Sequence, residues 1–292
     1  MSFEVSSLIK CEGVKRFFCG MLASLLLVIP SLALSSDDVV YSGTARDDYT
    51  TQLLSLALSY HGDRYNLKAF GAEIPKPRVF ALLAANDGID VIVGGASLER
   101  ASKYQMIPFP LLKGLNGWRM ALVHDTQPRL FEEKKTEEFK AYVAGQFHTW
   151  TDTKILSANQ ITVFKGTNAE GLYDMLARQR FDYFPRSVLE IEWDFNSRRH
   201  LPLAIEQTAL IYYPTAYVFY VSKQNKQLAE DILVGLQQAQ SDGSFEQLFN
   251  EFYGDVVNKL IQDNRSVYRL SNPFLPHNIP TERKELWLNF EG

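Results

Sequence analysis

The chain has 292 residues, 46% hydrophobic and 22% charged, the balance of a globular protein long enough for one large domain or two lobes. Thirty Lys and Arg against 34 Asp and Glu give a net charge of −4. That excludes the concentrated positive field of a nucleic-acid surface, so no nucleic-acid partner is expected.

Lys10, Lys15 and Arg16 precede an apolar run from Gly20 to Leu34 that Pro30 interrupts. The run falls short of the ~20 residues a spanning helix needs. A basic start, a short apolar stretch and small residues at Ser31, Ala33 and Ser35 read as a secretory signal peptide over residues 1–35, cut after Ala33 or Ser35. Both cysteines, Cys11 and Cys19, fall inside it. The mature chain is then free of disulfides, thiol nucleophiles and cysteine metal sites. An exported chain of this length without disulfides fits a bacterial periplasm.

Val39–Gly43 reads as the first strand, and Asp47 or Asp48 as the cap of a helix carrying Tyr49, Leu53, Leu56, Ala57 and Tyr60 on one face. Gly62 is expected to end that helix. Tyr65–Phe70 alternates as a strand, Pro77 opens the next helix, and Asn86-Asp87-Gly88 closes it. Ile89–Gly94 is a near-continuous apolar run, as in a strand buried on both faces. This alternation predicts a parallel, doubly wound sheet. A second series follows: a strand at Trp118–Val123, a charged stretch over 124–140, and a strand at Ala141–Gly145. A helix from about Asp152, a strand at Ile161–Phe164, a capping box at Thr167–Glu170 and a strand at Arg180–Phe184 complete it. Ala216–Val221 is strand-like; helices are expected over 226–240 and 244–253, with a turn at Asp242-Gly243. The proline-containing tail 263–292 reads as an extended arm. The histidines have no zinc spacing, and neither a G-x-S-x-G elbow nor a complete P-loop occurs, so no metal and no cofactor are expected.

Two stretches together carry a resemblance. One is Gly88-Ile-Asp-Val-Ile-Val-Gly-Gly-Ala-Ser-Leu-Glu-Arg100 followed by Pro108-Phe-Pro110. The other is Arg180-Phe-Asp182, then Tyr217-Val-Phe-Tyr-Val221, then Asp242-Gly-Ser-Phe245. In this order the chain resembles the bacterial periplasmic solute-binding proteins of the amino-acid kind (family 3, type II). There, a G-x-x-D strand precedes T-x-E-R and F-S-x-P segments; Ser97-Leu-Glu-Arg100 and Pro108-Phe-Pro110 occupy those places. The resemblance implies an α/β fold of two lobes, each a doubly wound sheet, joined by two crossover strands. Lobe one would comprise 36–122 plus 217–292, and lobe two 123–216. A small ligand would lie between lobes that close by a hinge.

By the same resemblance Arg100 is the arginine that clamps a ligand carboxylate; the other reading is a surface arginine paired with Glu99. Its guanidinium fork matches a carboxylate bidentately. Gly95 and Ser97 leave backbone room beside it. The loop Gln146–Thr153 matches the family's anion-binding turn, with Thr151 and Thr153 as hydroxyl donors and Trp150 as a wall, or else is an ordinary helix start around a core tryptophan. Arg186-Ser187 departs from the family, which places an aspartate there for the ligand's ammonium. A cation at that point favours a more negative ligand, unless Arg186 pairs with Glu190 or Glu192. Tyr49 is a weaker candidate for the cleft wall. The implied function is a periplasmic receptor that captures a small anionic or zwitterionic ligand, an amino acid or related organic acid, and delivers it to the membrane permease of an ABC-type uptake transporter. The receptor would be a monomer and not an enzyme. The scaffold also implies two alternatives. One is an enzyme similar to the family's cyclohexadienyl dehydratase, using Glu190, His148 or Asp152; the other is a receptor that hands ligand to a sensor protein.

Overall fold

A computed structural model describes residues 36–290. The expected signal peptide, with Cys11 and Cys19, lies outside the described residues.

The chain opens as β1 (Asp37–Tyr41), α1 (Tyr49–Ser59), β2 (Tyr65–Ala69), α2 (Lys76–Ala85), β3 (Val91–Gly95), α3 (Leu98–Lys103) and β4 (Gln105–Met106). It continues as β5 (Trp118–His124), α4 (Thr136–Lys140), β6 (Ala144–Phe147), α5 (Thr151–Ala158), β7 (Val163–Gly166), α6 (Gly171–Ala177), β8 (Tyr183–Ser187), α7 (Ile191–Asn196), β9 (Leu203–Ile205) and β10 (Ala209–Tyr212). The last part holds β11 (Tyr217–Val221), α8 (Lys226–Asp242), α9 (Ser244–Gln262) and β12 (Ser266–Arg269).

These strands form two sheets, ordered β2-β1-β3-β11-β4 and β12-β10-β5-β8-β6-β7, with β9 also on β5. In the first, β1 runs parallel to β2 and β3, and β11 returns antiparallel between β3 and β4. This is the expected doubly wound α/β pattern. In the second, β6 runs parallel to β7 and β8. The chain passes between the sheets from β4 to β5 and from β10 to β11. These two connections fix the hinge, since Tyr217 at the start of β11 sits in register with Gly95 at the end of β3.

Local signals behave as the physics of helix ends requires, with informative exceptions. The Asp48 carboxylate accepts the Thr51 amide at 2.8 Å and starts α1. Asn86 ends α2 in the left-handed region, φ 54°. Gly62 does not cap α1; the helix stops at Tyr60, and Gly62 opens a separate single turn. The Thr167–Glu170 capping box does not form. Asn168 takes its place, its Oδ1 accepting the Glu170 and Gly171 amides, while the Glu170 carboxylate reaches Arg198 at 2.5 Å. Strands β6 and β8 both lie about three residues later than expected. Asp182 holds their entries together, accepting the Val143 amide through its carboxylate and donating its own amide to the Val143 carbonyl. Helix α9 runs on to Gln262, well past Tyr253.

The tail departs most from expectation. Instead of lying as an extended arm with lobe one, it supplies β12 to the second sheet, parallel to β10. It then passes the hinge, where Asn272 Nδ2 donates to the Pro214 carbonyl at 2.8 Å. Beyond that, Ile279 is buried against Leu83, Ile92 and Tyr220 of the first sheet's core, and the Leu288 amide donates to the Lys113 carbonyl. Three stretches of tail therefore bind three parts of the molecule, and the hinge has more connections than two. The whole of Trp118–His124, including residues 118–122, belongs to the second sheet.

Helix α1 buries Leu53, Leu54, Ala57 and Leu58 against Leu228, Ile232 and Leu236 of α8. A fully buried leucine contributes about 1.5–3 kcal/mol relative to an exposed one. The two helices approach so closely that a Cβ on Gly235 would lie 1.9 Å from the Ala57 carbonyl oxygen. Gly235→Ala is expected to lower stability by about 1–3 kcal/mol through overpacking, despite the better helix propensity of alanine. Urea unfolding measures this; an unchanged midpoint would mean the helices have room to part.

Candidate functional site

Between the sheets lies a cleft of about 350 Å³. Its walls come from segment ends. Gly95 and Ala96 end β3, Arg100 stands on α3, and Lys76 begins α2. Across from them are Thr149, Trp150, Thr151 and Asp152 at the start of α5, with Arg186 near the end of β8 and Glu190 just beyond. The hinge contributes Asn116, Arg119, Thr215 and Tyr217, and the tail contributes Asn272. A position at the carboxyl ends of parallel strands is the expected place for a ligand in an open α/β sheet.

The charges divide unevenly between the walls. On the second-sheet side each arginine has an acidic partner. Arg119 Nη2 meets Asp152 Oδ1 at 2.7 Å, and Tyr213 also hydrogen-bonds that carboxylate. Burial works against the Arg119 charge, but Asp152 and then Tyr213 outweigh it and hold its pKa above the ordinary arginine value. Arg186 meets Glu190 at 2.9 Å and Asp194 at 2.5 Å, and lies 5.0 Å from the centre of the Trp150 ring. On the first-sheet side the cations stand differently. Arg100 Nη1 donates to the Gly95 carbonyl at 2.8 Å and lies over the Phe80 ring at 5.3 Å. Among the described residues no carboxylate is within ion-pair distance of Arg100 or Lys76. Lys76 is at the cleft lip, where desolvation and then the neighbouring Arg100 charge depress its pKa.

Two polar atoms at the cleft floor have no hydrogen-bond partner among the described residues: Asn116 Oδ1 and Arg119 Nε. The Asn116 side-chain nitrogen donates to Thr215 Oγ1 at 2.7 Å, so one edge of the amide is held and the other is open. Burial and then Glu190 raise the Tyr217 phenol above its usual pKa, so it stays a neutral donor.

Of the residues singled out from sequence, Gly95, Arg100, Trp150, Thr151 and Arg186 come together on this cleft. Arg186 does so with its charge already balanced, so it is not the free opposing cation that the sequence reading needs. Four others do not line it. Ser97 accepts the Arg100 amide at 3.2 Å as the cap of α3. Thr153 is buried and donates to the Phe147 carbonyl at 2.8 Å. Ser187 is buried and accepts the Leu189 amide. Tyr49 is 2% exposed, donates to the Leu111 carbonyl at 2.6 Å and packs among Phe249, Phe252 and Tyr253; it is core, not cleft wall. Lys76, Asn116, Arg119 and Asn272 were missed. Arg119 did leave a signal, as the single charge in the expected strand Trp118–Val123. The carboxylates named for an enzymatic reading, Asp152 and Glu190, are both ion-paired, and His148 is exposed off the cleft. Among the described residues no group of three His, Cys, Asp or Glu side chains is placed to hold a metal, and no helix is long and apolar enough to cross a membrane.

No family model matches the chain, and no curated protein matches it in sequence. Solved structures do match by fold. One is the probable amino-acid ABC transporter extracellular-binding protein ytmK from Bacillus subtilis, 15% identical, TM-score 0.53, covering 76% of this chain and 99% of that one. Another is an ancestral arginine-binding protein bound to arginine, 16% identical, TM-score 0.50, covering 74% and 98%. The fold is thus the two-lobed type II fold of periplasmic binding proteins, as the sequence resemblance implied.

The Arg119–Asp152 pair joins the hinge to α5, and its loss should be felt globally. Asp152→Ala is expected to cost about 3–5 kcal/mol because it leaves a buried guanidinium unpaired. Glu190→Gln, at the half-exposed end of its pair, should cost no more than about 1 kcal/mol. Chemical denaturation of the two variants checks the contrast; equal costs would mean that Arg119 is solvated.

Proposed function

We propose that this protein is an exported solute receptor that captures a small carboxylate-bearing molecule, an amino acid or related organic acid, in the cleft and presents it to the permease of an ABC-type transporter. The observation that carries this reading is the pair of cations, Arg100 and Lys76, that have no acidic partner among the described residues, beside Gly95 and Ala96. The Gly95 carbonyl holds one side of the Arg100 guanidinium, accepting from Nη1 at 2.8 Å. Buried orphan groups at Asn116 and Arg119 are further partners for a polar ligand. The half-exposed Glu190 is the acidic group available to a ligand ammonium.

On this reading the lobes rock about the β4–β5 and β10–β11 connections, with β5 and β12 moving with the second sheet. Arg186 then acts by holding Glu190 and Asp194 in place and by packing on Trp150. Export to the periplasm rests on the N-terminal pattern of residues 1–35. Binding is favoured over catalysis because both carboxylates of the cleft are tied to arginines as structural partners, not left free to exchange protons.

Isothermal titration of ligand-stripped protein against amino acids and small organic acids tests the function. At least one should bind, and Arg100→Ala should weaken that ligand by about 2–5 kcal/mol. Silence across the panel, or an affinity indifferent to Arg100→Ala, would overturn the reading.

A further inference from the structure

We infer that the ligand presents a doubly negative group, or two carboxylates close together, to Lys76 and Arg100. This rests on the cleft being the binding site. The charge count of its walls leads there. Arg119 and Arg186 on one side are matched by Asp152 and Glu190, with Asp194 behind Arg186. Lys76 and Arg100 on the other are matched by nothing among the described residues. Glu99, the nearest acidic neighbour in sequence, is tied to Lys103 at 2.8 Å. Lys76 and Arg100 line the same cleft, and two like charges there repel, a repulsion that negative charge placed between them relieves. A single carboxylate satisfies Arg100 bidentately and leaves Lys76 uncompensated; a dianion satisfies both.

The same two side chains also wall a second hollow of about 290 Å³ together with Pro77, Phe80 and Tyr104, where the Glu99–Lys103 pair lies as well. Lys76 is then a specificity-determining residue: it separates dianions from the monocarboxylates that Arg100 alone would hold.

Two sources of such charge are distinguishable by titration. One arm is a dicarboxylate series (malonate, succinate, glutarate, L-aspartate, L-glutamate) with monoanionic partners such as butyrate and L-glutamine. The other is a series of alkyl phosphonates and phosphomonoesters. A dianion in one arm should bind more tightly than its monoanionic counterpart. Lys76→Met should weaken that dianion about tenfold or more and its monoanionic counterpart clearly less, so that the preference between them shrinks. Lys76→Arg should restore the preference. Lys76 is exposed at a helix start, so these variants should fold; a thermal melt confirms it. Monoanions and dianions binding alike, with no effect of Lys76→Met, would overturn this inference and leave the receptor reading standing. No binding by any compound, neutral amino acids included, would overturn both.

Discussion

The organisation of the cleft follows from an imbalance of charge: among the described residues, two cations on one wall have no acidic counterpart, while two on the other are paired. A guanidinium or ammonium that is partly desolvated and unpaired is unfavourable, and proteins keep such groups where something else will complete them. The first sheet delivers Arg100 to that place by ordinary means. Strand β3 ends at two glycines, the Ser97 hydroxyl caps α3, and one turn later the guanidinium turns back onto the Gly95 carbonyl. The second sheet instead uses its arginines as joints. Arg119 ties the hinge to α5, and Arg186 ties β8 to α7.

On the proposed function this division gives the lobes different tasks, the first wall receiving the anion. The second is a rigid polar surface whose ion pairs fix the start of α5, the Trp150 ring and Glu190. Rigidity there is useful, because a ligand then meets groups already in place and little side-chain freedom is lost on binding. The tail adds a further constraint. It pairs with β10, bonds to Pro214 between the sheets and buries Ile279 in the first sheet's core, so a hinge motion of the proposed kind would have to carry these contacts with it.

Much of this is visible in the sequence. The β-α-β-α-β order of residues 37–95 follows from apolar periodicity and from Asp48 and Asn86, whereas Arg100 enters through the family resemblance and stands on the cleft. What periodicity misses are features set by tertiary contacts. Strands β6 and β8 start late because Asp182 and Val143 bond each other across the sheet, which no local pattern records. Tyr49 looks like a cleft residue at a helix start but is claimed by aromatic packing on α9. For Arg186 the alternative pairing with Glu190 is the one that forms, and Asp194, eight residues away, joins it only once α7 folds. Lys76 gives no signal at all in the sequence, since a lysine before a proline at a helix start is ordinary on any surface.

The most direct test of the account is a crystal structure of the protein with the tightest ligand from the titration panel. The anionic group of that ligand should lie within hydrogen-bond distance of both Arg100 and Lys76, with Arg119 and Arg186 still bound to Asp152 and Asp194. A ligand whose negative charge sits on Arg119 or Arg186, with their carboxylate partners displaced, or a ligand bound outside the cleft, would contradict it.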